Sequence, residues 1–158
     1  MANNGRRRIV VTGMGAVTPL GNDVETSWRA AVEGHSGIGP ITRFDATEFD
    51  SRIAGEIRDF NAEEYVPAKE LRRMDRFIHY AIASSKQAAA QANLVIDEDN
   101  AEQVGVLIGS GIGGVDTLYE ASNTLAQKGP GKVGPFTIPM HLVDLAAGQV
   151  SIQLGAKG

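Results

Sequence analysis

Three glycines with the spacing of a dinucleotide-binding turn are the residues of this chain whose pattern points most directly to chemistry. Gly109, Gly111 and Gly114 follow an apolar run, Val104–Ile108. A glycine turn between a strand and a helix can hold a pyrophosphate at the helix N-terminus. Such a site also needs an acidic residue about twenty positions later for the ribose hydroxyl. The segment there, Gly129–Pro135, contains no acidic residue, so dinucleotide binding is the least favoured function.

Another glycine turn, near the N-terminus, is also incomplete as a nucleotide site. Gly13 and Gly15 follow the β-branched run Ile9–Thr12, but Thr18 stands where a third glycine is needed. Two glycines after a strand are weak evidence of phosphate binding. Both turns therefore have to be interpreted together with the residues around them.

Composition argues against several other kinds of function. The chain has no cysteine, which removes disulfides and thiolate metal ligands and is consistent with a cytoplasmic protein. Its net charge of -4 argues against nucleic acid as a partner. The basic run Arg6–Arg8 is followed by only three apolar residues, too few for a secretion signal. No apolar stretch approaches the roughly 20 residues of a membrane span, and no Ser-His-Asp spacing indicates a hydrolase.

Hydrophobic periodicity and capping residues predict one α/β domain without repeats or linkers. Alternating strands and helices favour layers around a mostly parallel sheet. Only two strands are convincing, so the domain looks incomplete, with hydrophobic sheet faces and unpaired edges. The predicted strands span 8–12 and 104–108, the predicted helices 22–34 (capped by Asn22), 68–92, 115–128 and 142–154, and the irregular segments 38–55 and 129–139.

A basic stripe lies on the longest predicted helix. Lys69, Arg72, Arg73 and Arg76 recur at i, i+3, i+4 and i+7, which places them on one helical face. Such a stripe is commonly a solvated surface. It also attracts acidic partners and speeds their encounter with the protein. Asp75 can pair with its neighbours and makes Arg76 the weakest candidate for such a contact.

Several segments taken together resemble one enzyme family. Their order and spacing are similar to those of the β-ketoacyl-acyl-carrier-protein synthases, and the elongating form called synthase II is the nearest match within that family. The resemblance runs from about residue 6 to Gly158. It is carried by Arg7–Gly15 (RRIVVTGMG), Thr18–Asn22 (TPLGN), Gly34–Ile38 (GHSGI), Asp59–Asn61 (DFN), Arg73–Asp75 (RMD) and Ile108–Gly114 (IGSGIGG).

This resemblance implies a thiolase-like layered sandwich. Residues 1–158 would form an incomplete N-terminal half of one synthase domain, with a helical insertion that contributes to the dimer interface and the acyl tunnel. In the family a third strand follows and leads to the nucleophilic cysteine, with two histidines and a lysine further on. His35, His79 and His141 match none of these motifs. We therefore expect no catalytic residue in this chain and no activity from the chain alone.

The implied reaction is fatty-acid elongation by decarboxylative condensation of an acyl group with malonyl-carrier protein. The complete protein would be a cytoplasmic homodimer that uses acyl carrier protein and malonyl-carrier protein, without metal or other cofactor. Two alternatives remain open. One is a non-catalytic, ketosynthase-like partner of the chain-length-factor type, which residues beyond Gly158 would distinguish. The other is the nucleotide-binding domain discussed above.

The resemblance also assigns roles to six residues. Lys69, Arg72 and Arg73 match the family's carrier-docking patch. Ile112 matches an isoleucine that lines the acyl tunnel and gates chain length, although it could be a small core residue on a glycine turn. Phe136 and Ile138 lie in the loop that closes the partner's tunnel, and they could equally be interface packing. Thr137 replaces a common second aromatic residue, which leaves the preferred acyl length open.

Overall fold

The computed structural model describes residues 8–158, so Arg6 and Arg7 of the basic run lie outside the described residues. Within this range helices dominate, and a two-stranded antiparallel sheet is added to them. Short 3₁₀ turns occur at Ala62–Glu64, Ala101–Gln103 and Pro130–Lys132. The main elements are α1 (Val24–Val32), β1 (Ile38–Pro40), β2 (Ile53–Gly55), α2 (Ala68–Leu71), α3 (Arg76–Gln91), α4 (Val115–Lys128), α5 (Thr137–His141) and α6 (Leu145–Leu154).

The core lies between α3 and α6. Ile78 and Ile82 lie one turn apart on α3 and are almost completely buried. They belong to the same apolar cluster as Ala146 and Val150 of α6. Small residues on α6 and branched residues on α3 allow the two helices to approach closely. Val66 and Met74 extend this cluster toward α2.

The predicted helix over 68–92 is broken, which corrects the sequence prediction. Helix α2 ends at Leu71, and α3 begins at Arg76. Asp75 between them is extended, with φ -77° and ψ 161°, and its side chain makes no capping bond to α3. That side chain is bonded elsewhere in the fold, so a continuous helix would have to give up a buried contact. The basic residues consequently do not form one helical stripe.

Neither predicted strand is paired within residues 8–158, which corrects the expectation of a sheet at these segments. The backbone just after the first segment bonds to side chains of α3. Met14 N–H donates to Gln91 Oε1 at 2.6 Å, and Ala16 N–H donates to Gln87 Oε1 at 3.0 Å. The segments remain unpaired because they lack neighbouring elements to cover them. Ile9 is 93% exposed and Leu107 is 99% exposed. A strand of this kind needs neighbours on its edges and faces.

The glycines of the N-terminal turn serve packing. A side chain at Gly13 would collide with the carbonyl oxygen of Ala88, and one at Gly15 would collide with that of Ser84. Both carbonyls belong to α3, so these glycines let the N-terminal segment lie directly on the helix backbone. The close approach explains their spacing without a phosphate.

A small hairpin lies in the segment predicted to be irregular. Strands β1 and β2 pair antiparallel, with Gly39 opposite Ala54. Glu56, which is buried, accepts hydrogen bonds from the Thr42 hydroxyl at 2.7 Å and from the Thr42 amide at 3.0 Å. The Arg43 amide also donates to Glu56 at 3.3 Å. This carboxylate therefore fixes the chain just after β1 to the chain just after β2.

Other boundaries differ from prediction by a few residues. Asp23, and not Asn22, caps α1, because its Oδ1 accepts from the Thr26 amide at 2.7 Å. Helix α5 lies partly in the predicted loop, and α6 begins at Leu145 because Leu142 is extended. Helix α4 matches the prediction at both ends. It stops at Gly129, whose φ of 80° suits glycine.

We predict that acid weakens the protein partly through Glu56. Hydrogen bonds from the Thr42 hydroxyl, then from the Thr42 amide, lower the pKa of this carboxyl below its ordinary value. A lowered pKa means that the unfolded chain binds the proton more readily. This contribution to stability is therefore present above the ordinary glutamate pKa of about 4.3 and is lost as the pH falls.

Urea unfolding between neutral and acid pH measures this effect. Glu56→Gln should show a shallower fall of the unfolding free energy in the acid range than the parent. Glu48→Gln, which changes an exposed glutamate between the two strands, should follow the parent curve. Identical acid dependence of Glu56→Gln and the parent would contradict the assignment.

Candidate functional site

The three candidate docking residues lie together on the surface at the α2 end. Lys69 is in α2, Arg72 is its C-terminal capping residue and Arg73 follows. All three side chains are exposed. Among the described residues neither Lys69 nor Arg72 has an ion-pair partner. The short segment thus presents concentrated positive charge to solvent.

Arg76 is separated from this group by its own contact. It begins α3 and forms an ion pair with Asp116 of α4. This bond raises the pKa of the Arg76 guanidinium above its ordinary value. The pairing distinguishes Arg76 from Lys69 and Arg72, and it ties the start of α3 to the start of α4.

Arg73 joins the docking segment, which we define as residues 69–73, to the loop predicted to close the tunnel. Its guanidinium lies over the Phe136 ring, 4.9 Å from the centroid. An arginine above an aromatic face is attracted by the ring's negative quadrupole. Phe136 directly precedes α5, which contains Ile138. One docking candidate and one tunnel candidate are therefore in direct contact.

The three tunnel candidates do not converge on one cavity in the described residues. Ile112 is 65% exposed and Ile138 is 63% exposed. A cavity of about 750 Å³ lies between the hairpin and the α3–α4 junction, with Arg43, Tyr80 and Tyr119 in its wall, and none of the candidates lines it. Ile112 is therefore not buried among the described residues.

The glycine turn that carries Ile112 is held from one side by the α5–α6 connection. The Gly114 amide donates to the carbonyl oxygen of His141 at 3.0 Å. A side chain at Gly113, whose φ is 79°, would collide with the same carbonyl oxygen. Val143 also lies close to Gly113. The last two glycines of the turn are thus required by close backbone packing.

Asp75 is a second group that packs against the end of this turn. Its Oδ2 accepts a hydrogen bond from the Thr117 amide at 3.1 Å and another from the Thr117 hydroxyl at 2.6 Å. A Cβ atom at Gly114 would lie 2.9 Å from the same oxygen. Sequence reasoning missed this contact because Asp75 and Thr117 are 42 positions apart. The available signal was Gly114 itself, which precedes α4 and offers no side chain to cap it.

The position of Asp75 also argues against phosphate binding by the glycine turn. An anion held at a helix N-terminus needs free backbone amides there. The Thr117 amide is already bonded to Asp75. A carboxylate at this point would also repel a pyrophosphate. The nucleotide-binding alternative is disfavoured by this geometry.

His79 lies beside the docking segment, but its contacts indicate a structural role. Its Nε2 lies 3.3 Å from the carbonyl oxygen of Leu71, the last residue of α2. Burial lowers the pKa of this imidazole. Its position is that of a residue that joins α3 to α2.

Residues 8–158 contain neither of two other kinds of site. No group of three or more histidine, aspartate or glutamate side chains is arranged to hold a metal ion in this range. No helix in the same range is long and apolar enough to cross a membrane.

Comparison with known proteins decides the family. Residues 6–158 match the family described as beta-ketoacyl synthase, N-terminal domain. The chain belongs to the β-ketoacyl synthase family. The resemblance found in the six sequence motifs is thereby confirmed, and the described fold is that of a ketosynthase N-terminal region.

Two curated relatives and one solved structure show how much of a synthase the chain covers. It is 50% identical over 158 residues to 3-oxoacyl-acyl-carrier-protein synthase 2 of Synechocystis sp., covering 100% of this chain and 38% of that protein. It is 51% identical over 152 residues to the same enzyme of Staphylococcus aureus, covering 96% of this chain and 37% of that protein.

The solved structure is a type II polyketide acyl carrier protein in complex with its ketosynthase, bound to the hexaketide. It matches with a TM-score of 0.80 and 26% identity, covering 96% of this chain and 41% of that chain. This β-ketoacyl synthase chain therefore spans a little over a third of the length of the curated relatives described above.

We predict that Gly114→Ala destabilises the protein and that Gly109→Ala does not. The new methyl group would meet Met140 and Asp75 at Gly114, whereas nothing lies within 4 Å of the position at Gly109. Forced packing of this kind costs about 1–3 kcal/mol of unfolding free energy. Urea unfolding of the two variants beside the parent checks the prediction. Equal stability of both variants would show that the contacts around Gly114 do not constrain it.

Proposed function

We propose that this chain is part of a 3-oxoacyl-acyl-carrier-protein synthase II that elongates fatty acyl chains, acting as a cytoplasmic homodimer. The observation that carries the proposal is identity of about one half along 96–100% of the chain to two such synthases. Within that enzyme the chain contributes the carrier-docking surface and part of the acyl tunnel. Catalytic residues come from the remainder of the enzyme.

The proposed reaction has two stages. An acyl group first moves from the carrier's thioester to a cysteine thiolate, and the carrier thiol leaves. The malonyl group then loses its carboxylate as CO₂, and the resulting enolate carbon attacks the acyl carbonyl. The new carbon–carbon bond forms as the bond to the cysteine sulfur breaks. Fixed hydrogen-bond donors would stabilise the enolate charge. None of these reacting groups is contributed by this chain, which has no cysteine.

Carrier docking is assigned to Lys69, Arg72 and Arg73. This assignment is supported by the exposed and concentrated positive charge at the end of α2. Acyl carrier proteins are acidic, so complementary charge would steer their approach. The solved ketosynthase similar to this chain is itself in complex with an acyl carrier protein. The same surface is the natural place for malonyl-carrier protein to bind in the second stage.

The tunnel assignment rests on Ile112, Phe136 and Ile138. Their exposed apolar side chains need cover that the described residues do not provide. In a homodimer the loop with Phe136 and Ile138 would reach the partner's tunnel, and Ile112 would contact the acyl chain. A β-branched residue within a glycine turn can occupy or vacate space as a unit.

The complete layered sheet is proposed on similar grounds. Thr12, at the end of the 8–12 segment, and the 104–108 segment line one cavity of about 280 Å³ together with residues of α3 and α6. The Gly158 amide donates to the Val104 carbonyl at 3.1 Å, so residues 157–158 already follow the edge of the second segment. Further strands from the remainder of the synthase would pair with these edges and cover Ile9 and Leu107.

A condensation assay tests the function directly. We expect the longer protein that contains this chain to release CO₂ from malonyl-carrier protein and to form 3-oxoacyl-carrier protein when an acyl-carrier protein is supplied. The chain by itself should form no acyl-enzyme, because it lacks a thiol. Carrier binding without condensation by the longer protein would favour the non-catalytic, chain-length-factor type of partner instead.

Charge reversal tests docking. Replacement of Lys69, Arg72 and Arg73 by glutamate in the longer protein should weaken acyl-carrier binding about tenfold at low salt, with a smaller difference at high salt. A matched control reverses three exposed charges elsewhere, with Arg29→Glu, Arg52→Glu and Lys128→Glu. Binding is measured by titration calorimetry. Equal weakening by both triple variants would mean that only net charge matters and that the α2 surface is not the docking site.

A further inference from the structure

The buried carboxylate of Asp75 is not used by the proposed reaction and has an unusual position. It lies two residues after Arg73 and immediately before α3, so its backbone belongs to the docking side of the molecule. Its side chain, however, is bonded to Thr117 in the first turn of α4. Only 8% of Asp75 is exposed. The residue therefore spans two segments that are distant in sequence.

Its bonds replace a cap that α4 lacks. The first amides of a helix have no acceptor within the helix and are normally satisfied by a side chain of the N-capping residue. In α4 that residue is Gly114, which has no side chain. Asp75 supplies the missing acceptor at the third helical position, Thr117. It does so although it stands at the N-cap of α3, where its side chain makes no bond.

This arrangement brings two groups against the end of the Ile112 turn. Gly114 packs close to Asp75 Oδ2, and its amide donates to the His141 carbonyl oxygen. Ile112 is two residues before Gly114 in the same turn. Movement of Asp75 would release one of the contacts that hold the turn at the start of α4. Arg76, the next residue, reinforces the connection through its pair with Asp116.

We propose that Asp75 is a positioning residue that sets acyl-chain-length preference by fixing the Ile112 turn relative to the docking segment. This inference rests on the proposed function and extends it to a residue that touches neither carrier nor acyl chain. Asp75 acts through Gly114 and Thr117. Its loss should therefore affect long acyl chains, which must pass Ile112, more than short ones.

The experiment compares Asp75→Asn with the parent in the longer protein. The amide keeps the size of the carboxyl group and one oxygen acceptor but removes the charge that favours bonds at a helix N-terminus. Condensation is measured over a series of saturated acyl-carrier proteins of increasing length. We expect kcat/KM to change about tenfold for the longest acyl chains and less than about twofold for the shortest, with KM for malonyl-carrier protein unchanged.

Matched variants separate positioning from a general effect. Asp99→Asn makes the same chemical change at an exposed aspartate and should leave the length profile unaltered. Thr117→Val removes only the hydroxyl donor to Asp75 and should shift the profile in the same direction by less. Thr117→Ser keeps that hydroxyl and should resemble the parent. The Thr117 pair supplies the result if Asp75→Asn fails to fold.

The possible outcomes are distinguishable. An equal fall in kcat/KM for every acyl length would overturn the proposal and leave Asp75 with a purely structural role. An unaltered profile in both Asp75→Asn and Thr117→Val would also overturn it. No condensation by the parent with any acyl-carrier protein would instead refute the proposed function, and this inference would fall with it.

Discussion

The packing of α3 against α6 is the interaction on which the other described contacts depend. Ile78 and Ile82 are buried against small residues of α6, and that burial holds α3 in place. Other faces of α3 contact other segments. The N-terminal segment lies on its backbone through Gly13 and Gly15, and the hairpin reaches it through Arg43 and Tyr80. Helix α3 therefore connects α6, the N-terminal segment and the hairpin.

The candidate site is organised around the residues at the start of α3. Arg73, Asp75 and Arg76 lie within four consecutive positions, yet each side chain contacts a different part of the structure. Arg73 contacts Phe136 in the loop before α5. Asp75 caps α4, and Arg76 pairs with Asp116 in the first turn of α4. A surface that presents positive charge is therefore directly connected to both segments proposed to shape the tunnel. The short distance between docking and tunnel residues follows from the break between α2 and α3.

The two predicted strand segments, 8–12 and 104–108, lack the neighbours that a buried sheet provides. Ile9, Val11 and Leu107 are exposed, and α3 glutamines bond to the backbone just after the first segment. Exposed β-branched residues gain nothing from the hydrophobic effect until another element covers them. Their sequence is suited to a buried sheet, which agrees with membership of a family whose curated members described above are more than twice as long.

The sequence by itself determined the family, through six short motifs at the correct spacing, and it determined helix α4, because local periodicity and Gly129 act within a few residues. It also indicated the three exposed basic residues at the α2 end. Tertiary structure decided the rest. The helix break, the removal of Arg76 from the basic group and the capping of α4 by Asp75 depend on partners 40 or 42 positions away. Local propensity contains no information about such partners, and strands without neighbours cannot pair whatever their composition.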